Sequence, residues 1–185
     1  MKIGLISTTM FPGVVKVMPP QIVPAFAGVE RILHVGDIWG VECLDWLERI
    51  ASVEAVEVSP SDVLDDPRVS LKRVVEVEGQ AIGMTYDLVL PGTGFQVFPG
   101  SIAALFPAGL SVPGAVELLF GRPVDIVVSG HTNVPFVEEH EGIMFVNPGS
   151  PSFPNNTVRL GMVVILEVTR GHRAARIVNL SDFVQ

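Results

Sequence analysis

The chain holds one cysteine and one tyrosine in 185 residues. Cys43 has no second thiol to pair with, which excludes an internal disulfide, and its apolar, helix-spaced surroundings make it a core thiol. Basic residues are also few: 12 Lys and Arg stand against 20 Asp and Glu, a formal charge of -8. No positive field exists to draw in a phosphate backbone, so nucleic acid is not an expected partner. Charged residues make up 17% of the chain and hydrophobic residues 48%, which excludes general disorder and leaves ample material for a core. No cleavable apolar leader precedes the first strand, so the cytoplasm is the expected compartment. An uninterrupted apolar run is missing as well. Residues 88–120 carry one charge, Glu117, but Pro91, Pro99, Pro107 and Pro113 break every helix long enough to cross a bilayer, and no membrane span is expected.

What the chain does have is a series of short β-branched runs that end in glycine and polar residues. Lys2 to Ser7 is a strand ended by Thr8 and Thr9, whose hydroxyls are expected to bond local backbone. Three prolines among residues 18–24 leave room only for a short helix over Pro24 to Gly28. Glu30 to Val35 is a second strand, finishing in Gly36-Asp37. The Asp37 carboxylate either projects past the sheet edge as a cation ligand or serves the N-terminus of the helix predicted over Val41 to Ala51. His34, inside the strand, is expected to be a core histidine. Val53 to Val58 is a third strand, with a turn at Ser59-Pro60 and loop carboxylates Asp62, Asp65 and Asp66 beyond it.

A hairpin over Leu71 to Thr85 begins a second sheet and delivers Tyr86 and Asp87 to a strand end. The apolar segment 88–120 follows, closing in a helix over Ala115 to Phe120. Its side chains line a pocket, form a partner surface, or fold back on the core. Val124 to Ser129 then ends in Gly130-His131-Thr132, a buried strand carrying one imidazole to its C-terminal end, where open α/β sheets bind ligands. Hairpins over Phe136 to Val146 and Gly161 to Leu180 complete the pattern, with Asn147-Pro148-Gly149-Ser150 between them.

Gly36-Asp37, Ser129-Gly130-His131-Thr132 and Asn147-Pro148-Gly149-Ser150, in that order after an N-terminal Met-Lys-Ile-Gly-Leu-Ile-Ser strand, resemble the small single-domain calcineurin-like metallophosphoesterases. The resemblance implies one domain over 1–185, a four-layer α/β/β/α sandwich of two mixed β-sheets flanked by helices, with 88–120 as an apolar insertion. In active members it implies two divalent cations, often manganese, that generate a hydroxide nucleophile at a phosphoester. Carried over residue by residue, the family's Asp-x-His becomes Ser7 and Thr9. Its bridging Asp is Asp37. Its Gly-Asn falls beside Ser59-Pro60, its next His is Tyr86, and its Gly-His-x-His ends as His131 and Asn133. The residual metal ligands are thus Asp37 and His131, with Asn133 as a weak third. His131 is the candidate catalytic residue, and Thr9, Tyr86, Asn147 and Ser150 are candidates to line the pocket.

One carboxylate and one imidazole are too few for two cations roughly 3.5 to 4 Å apart. The expected cofactor is therefore none, or one divalent cation such as manganese. The leading reading is a fold member without dinuclear chemistry that acts by binding, with a protein partner or a second copy on the apolar residues 92–114. A protein-interaction scaffold of this fold, a retromer subunit, is the precedent that the resemblance supplies. The alternative is a phosphoesterase or phosphodiesterase with a rearranged or mononuclear site using Asp37 and His131. A third reading makes the backbone N–H groups of Gly130 to Thr132 or Gly149 to Ser150 an anion cradle.

Overall fold

The computed structural model describes residues 1–58, 65–152 and 161–184. Two mixed sheets are stacked. The first has the order β11 (His172–Asn179), β10 (Met162–Thr169), β1 (Lys2–Ile6), β2 (Arg31–Val35), β3 (Ser52–Val56) and β4 (Val69–Ser70), with β1 to β4 parallel. The second has the order β5 (Lys72–Val77), β6 (Gln80–Thr85), β7 (Ile126–Ser129), β9 (Ile143–Asn147) and β8 (Phe136–His140), with β6, β7 and β9 parallel.

Side-chain alternation sorts the apolar residues into three layers. Ile3 and Leu5 of β1 and Leu33 and Val35 of β2 meet Ile82 and Met84 of β6 and Val128 of β7 between the sheets. On the far side of the first sheet, Ile6 and Ile32 pack under α1 (Ile22–Ala25) and α2 (Val41–Glu48) through Ile22, Phe26, Cys43 and Leu47. On the far side of the second sheet, Ala81, Val127 and Phe145 pack under residues of 88–116, including α3 (Ser101–Leu105) and α4 (Val112–Phe120). A glycine in a central strand seats an aromatic ring in each outer layer. A Cβ on Gly4 would lie 2.9 Å from the Phe26 ring, and one on Gly83 would lie 2.7 Å from that of Phe120.

Residues 88–116 therefore supply an outer layer of the sandwich. Val97, Ile102 and Val112 are buried in it, whereas Phe98, Leu105 and Leu110 stay exposed. No described helix is long and apolar enough to cross a membrane.

Three helix boundaries differ from the sequence expectation. The first helix starts at Ile22, before Pro24, because a proline in the first turn removes an N–H that has no helical partner anyway. The second stops at Glu48 rather than Ala51, where Ile50 N turns back to Leu47 O at 2.9 Å. The last begins at Val112 rather than Ala115: Ser111 accepts from Gly114 N as its N-cap, and left-handed Gly121 closes it. The third strand ends at Val56, so Glu57 and Val58 belong to the loop. The turn expected at Ser59-Pro60, with Asp62, lies outside the described residues.

His34 is fully buried. Its Nε2 lies 3.0 Å from the Thr9 hydroxyl, its Nδ1 has no partner, and burial pulls its pKa from 6.5 to about 3. The folded chain keeps this ring neutral while the unfolded chain protonates it. The stability it contributes is complete above pH 6.5 and is lost as the pH falls from 6.5 towards 3. Acid unfolding followed by circular dichroism should show this loss, and His34→Gln should flatten that limb by on the order of a few kcal/mol.

Candidate functional site

The parallel strands of both sheets deliver their C-terminal ends to one edge, and short hydrogen bonds join them there. Thr8 N donates to Gly36 O at 2.8 Å, Gly130 N donates to Tyr86 O at 3.0 Å, and Ser150 Oγ donates to Thr8 O at 2.8 Å. A Cβ on Gly130 would lie 2.2 Å from Val35 O, and one on Gly36 would lie 2.2 Å from the Tyr86 ring. Only glycine allows these crossings. The backbone is also strained: of eight non-glycine residues with left-handed φ among the described residues, six are Thr8, Met10, Asp37, Trp39, His131 and Asn133 in these loops. Such residues cost about 1 to 3 kcal/mol each and persist only where their surroundings enforce them.

At the centre of the edge, His131 Nδ1 pairs with Asp87 Oδ1 at 2.9 Å, both side chains half exposed. The Tyr86 ring meets the imidazole edge-on, with centroids 5.2 Å apart. Asp37 Oδ1 accepts from Trp39 Nε1 at 2.6 Å. Burial raises the Asp37 pKa and the nearby Glu57 charge adds to this, while the Trp39 bond and His131 oppose it. Glu57 is buried, and its carboxylate accepts from Ile38 N and Val58 N, each at 2.9 Å. The Tyr86 phenol is raised first by burial, then by the charges of Asp37, Glu57 and Asp87.

Several sequence expectations are corrected by these contacts. Asp37 caps no helix, since Gly40 is the N-cap of α2 and no side chain bonds there. Thr9 does not line the edge. It is fully buried, with its hydroxyl 3.0 Å from His34 Nε2 and 3.2 Å from Cys43 Sγ, on the helix side of the first sheet. Burial pushes the Cys43 thiol up to about 12. Asn147 and Ser150 are buried and act as braces. Asn147 Nδ2 donates to Gly130 O at 2.7 Å and to Thr132 Oγ1 at 3.1 Å, and its Oδ1 accepts from Gly149 N at 2.8 Å. Of the N–H groups expected to cradle an anion, those of Gly130, Thr132 and Gly149 donate within the protein. Asp66 bonds Arg68 through both carboxylate oxygens.

Glu57 and Trp39 are the members that sequence reasoning missed. The alternation Val53-Glu54-Ala55-Val56-Glu57-Val58 disguised a strand-end carboxylate as a solvent-facing one. The signal that could have found it is its place at the end of the apolar run, just before Ser59-Pro60 in the sequence.

The metal-binding capacity of the edge is limited by its donors. Among the described residues, no group of three or more His, Cys, Asp or Glu side chains could hold a metal ion. The carboxylates and the imidazole that are present already bond Trp39, backbone N–H groups and each other. Among the described residues, this donor set does not fit a dinuclear centre.

Comparison with known proteins gives a consistent family. The model of the calcineurin-like phosphoesterase superfamily domain matches residues 1–171. A probable metallophosphoesterase of Methanothermobacter thermautotrophicus is 33% identical over 169 residues, which cover 90% of this chain and 87% of the relative. Among solved structures, a Vps29 single mutant from Entamoeba histolytica superposes with a TM-score of 0.66 at 18% identity, covering 97% of this chain and 99% of that one. A structure described as a novel archaeal phosphodiesterase superposes at 0.63 with 17% identity, covering 96% and 100%. At these identities the two structures share the fold.

The Asn147 brace yields a direct test. Asn147→Ala removes three hydrogen bonds from a buried position and should cost about 2 to 4 kcal/mol in urea unfolding, with faster amide exchange confined to residues 130–133 and 149–150.

Proposed function

The chain belongs to the calcineurin-like phosphoesterase superfamily, and from that premise we propose that it is a member whose dinuclear site has been lost and that it acts by binding. The observation that carries this reading is the internal commitment of the strand-end donors. Asp37 is held by Trp39, Glu57 by two backbone N–H groups and His131 by Asp87, while Thr9 is drawn into the core. What is left uncommitted, one oxygen each of Asp37 and Asp87 and the Nε2 of His131, is too small a donor set for two cations.

The apolar segment 92–114 is the surface we assign to a protein partner or a second copy. Phe98, Leu105 and Leu110 are exposed there on a layer whose other side is packed against the second sheet. A chain of charge -8 resists self-association least where its charges are fewest.

A second reading has one specific observation in its favour. The Asp87 bond to His131 Nδ1 leaves Nε2 of a half-exposed imidazole uncommitted, an arrangement suited to proton transfer. On this reading the protein is a phosphoesterase or phosphodiesterase with a rearranged or mononuclear site, Asp37 and His131 acting with one divalent cation.

Elemental analysis of the purified protein, followed by a manganese-dependent assay on bis(p-nitrophenyl) phosphate, separates the two. The binding reading expects substoichiometric metal and no turnover above buffer. Stoichiometric manganese with turnover abolished by His131→Ala would overturn it in favour of the enzyme. The surface assignment has its own test. Deleting 92–114 would uncover the second sheet, so the point variants Leu105→Glu and Leu110→Glu are the useful probes. Each should lower self-association or partner binding in light scattering and leave the unfolding midpoint within about 0.5 kcal/mol of the parent, as exposed positions do.

A further inference from the structure

Among the described residues, no lysine or arginine pairs with the strand-end carboxylates Asp37 and Asp87. Among the described residues, Arg31, Arg68, Arg73, Arg122 and Arg173 pair with carboxylates elsewhere. Asp37 is bonded only by the Trp39 indole, and Asp87 only by the His131 imidazole. Each therefore keeps a second oxygen without a partner. Asn133 adds a buried Oδ1 with no hydrogen bond, two residues after His131. The surplus is in acceptors, and they belong to charged or strongly polar groups.

The neighbouring loops add exposed apolar side chains, with the exposed Lys16 between two of them. Trp39 is 52% exposed, Val14 47%, Val17 75% and Val134 42%. This arrangement is built into the fold: Phe11 and Trp39 form a bridge, Val15 N donates to Met10 O at 3.0 Å, and a Cβ on Gly13 would sit 1.7 Å from the indole. The first loop thus lies directly against the tryptophan and leaves the rest of its surface open.

The chemistry narrows the occupant. Phosphate, nucleic acid and anionic lipid meet two carboxylates and a net charge of -8. An apolar segment alone would bury the second oxygens of Asp37 and Asp87 without partners, which is costly. A guanidinium brings several donors and no acceptor, is always charged, pairs with carboxylates through a planar fork and stacks on aromatic faces. An ammonium supplies the charge without the plane.

We propose that the strand-end surface docks a partner-protein segment presenting an arginine between apolar residues, with the guanidinium on Asp37 and Asp87 beside Trp39 and the apolar neighbours on Val14, Val17 and Val134. The proposal rests on the binding reading and specifies the partner's chemistry. It assigns the two surfaces different tasks: the edge selects by charge and the segment 92–114 by apolar contact.

The test is selection of a displayed library of linear peptides on the intact protein, followed by calorimetry with the selected peptide. Enriched sequences should share one arginine flanked by apolar residues. Replacing it with citrulline, of the same shape without the charge, should weaken binding by about tenfold or more. Asp37→Asn and Asp87→Asn should do the same, Trp39→Ala should weaken binding several-fold, and rising salt should weaken it throughout. Asparagine tolerates the left-handed backbone at position 37, and an unchanged unfolding midpoint verifies that this variant is folded. Ile177→Thr, at an exposed position of β11, should leave peptide affinity as it was. Failure to enrich any peptide, enrichment without arginine, equal binding of the citrulline peptide, or loss with Ile177→Thr but not with Asp37→Asn would overturn the proposal. None of these outcomes concerns manganese-dependent turnover, whose appearance would instead remove the binding reading on which the proposal stands.

Discussion

The side-chain amide of Asn147 is the constraint on which the strand-end region depends. One buried group takes hold of Gly130 O, Thr132 Oγ1 and Gly149 N, tying the end of β9 to the turn that follows β7. That turn crosses the ends of β1 and β2 with no room for a Cβ at Gly130. Ser150 closes the ring by bonding Thr8 O. The position of His131 is therefore fixed by neighbours in both sheets, and the left-handed φ of 63° at that residue is a consequence of the crossing. A loop held by its own local bonds would relax out of such strain; this one is held from outside.

The same bracing explains the electrostatics of the edge. The sheets bring Asp37, Glu57 and Asp87 near one phenol, an arrangement that would ordinarily be relieved by bound cations. Here the relief is partial and comes from the protein: two backbone N–H groups for Glu57, an indole for Asp37 and an imidazole for Asp87. Backbone N–H and indole donors stabilise a carboxylate without cancelling its charge. Asp37 and Asp87 consequently each have one oxygen committed and one open. Ligation of a small metal ion asks for the oxygens themselves. Attraction of a large, delocalised cation asks mainly for their charge, and an exposed tryptophan beside it favours such a cation further.

Much of the architecture was legible because it rests on local rules. The short apolar runs of Lys2 to Ser7 and Glu30 to Val35, ended by Thr8-Thr9 and by Gly36-Asp37, are enough to mark strands and the edge at their ends. Gly36-Asp37 and Gly130-His131-Thr132 were legible as strand-end loops on the same grounds. What escaped was everything decided by which way a side chain turns. Thr9 reads as a loop hydroxyl, yet it enters the core because His34 and Cys43, from two different elements, need its oxygen. Glu57 continues an alternating pattern by type but leaves the strand in space. Asp37 has the composition of a helix cap, while its left-handed backbone and the Trp39 indole take it elsewhere. No spacing rule encodes these outcomes, since each is set by a partner distant in the chain.

The apolar segment shows how one stretch can meet two demands that compete in composition. Covering the second sheet requires Val97, Ile102 and Val112 to be buried, and Gly83 makes the space into which Phe120 drops. A layer only one short helix thick cannot turn all of its apolar side chains inward. The helix period leaves Leu105 and Leu118 on the opposite face, and both are exposed. A cover under selection for solubility alone would carry charged residues at those positions. Leucine there, in a stretch whose single charge is Glu117, keeps open a surface that the packing of the sheet does not require.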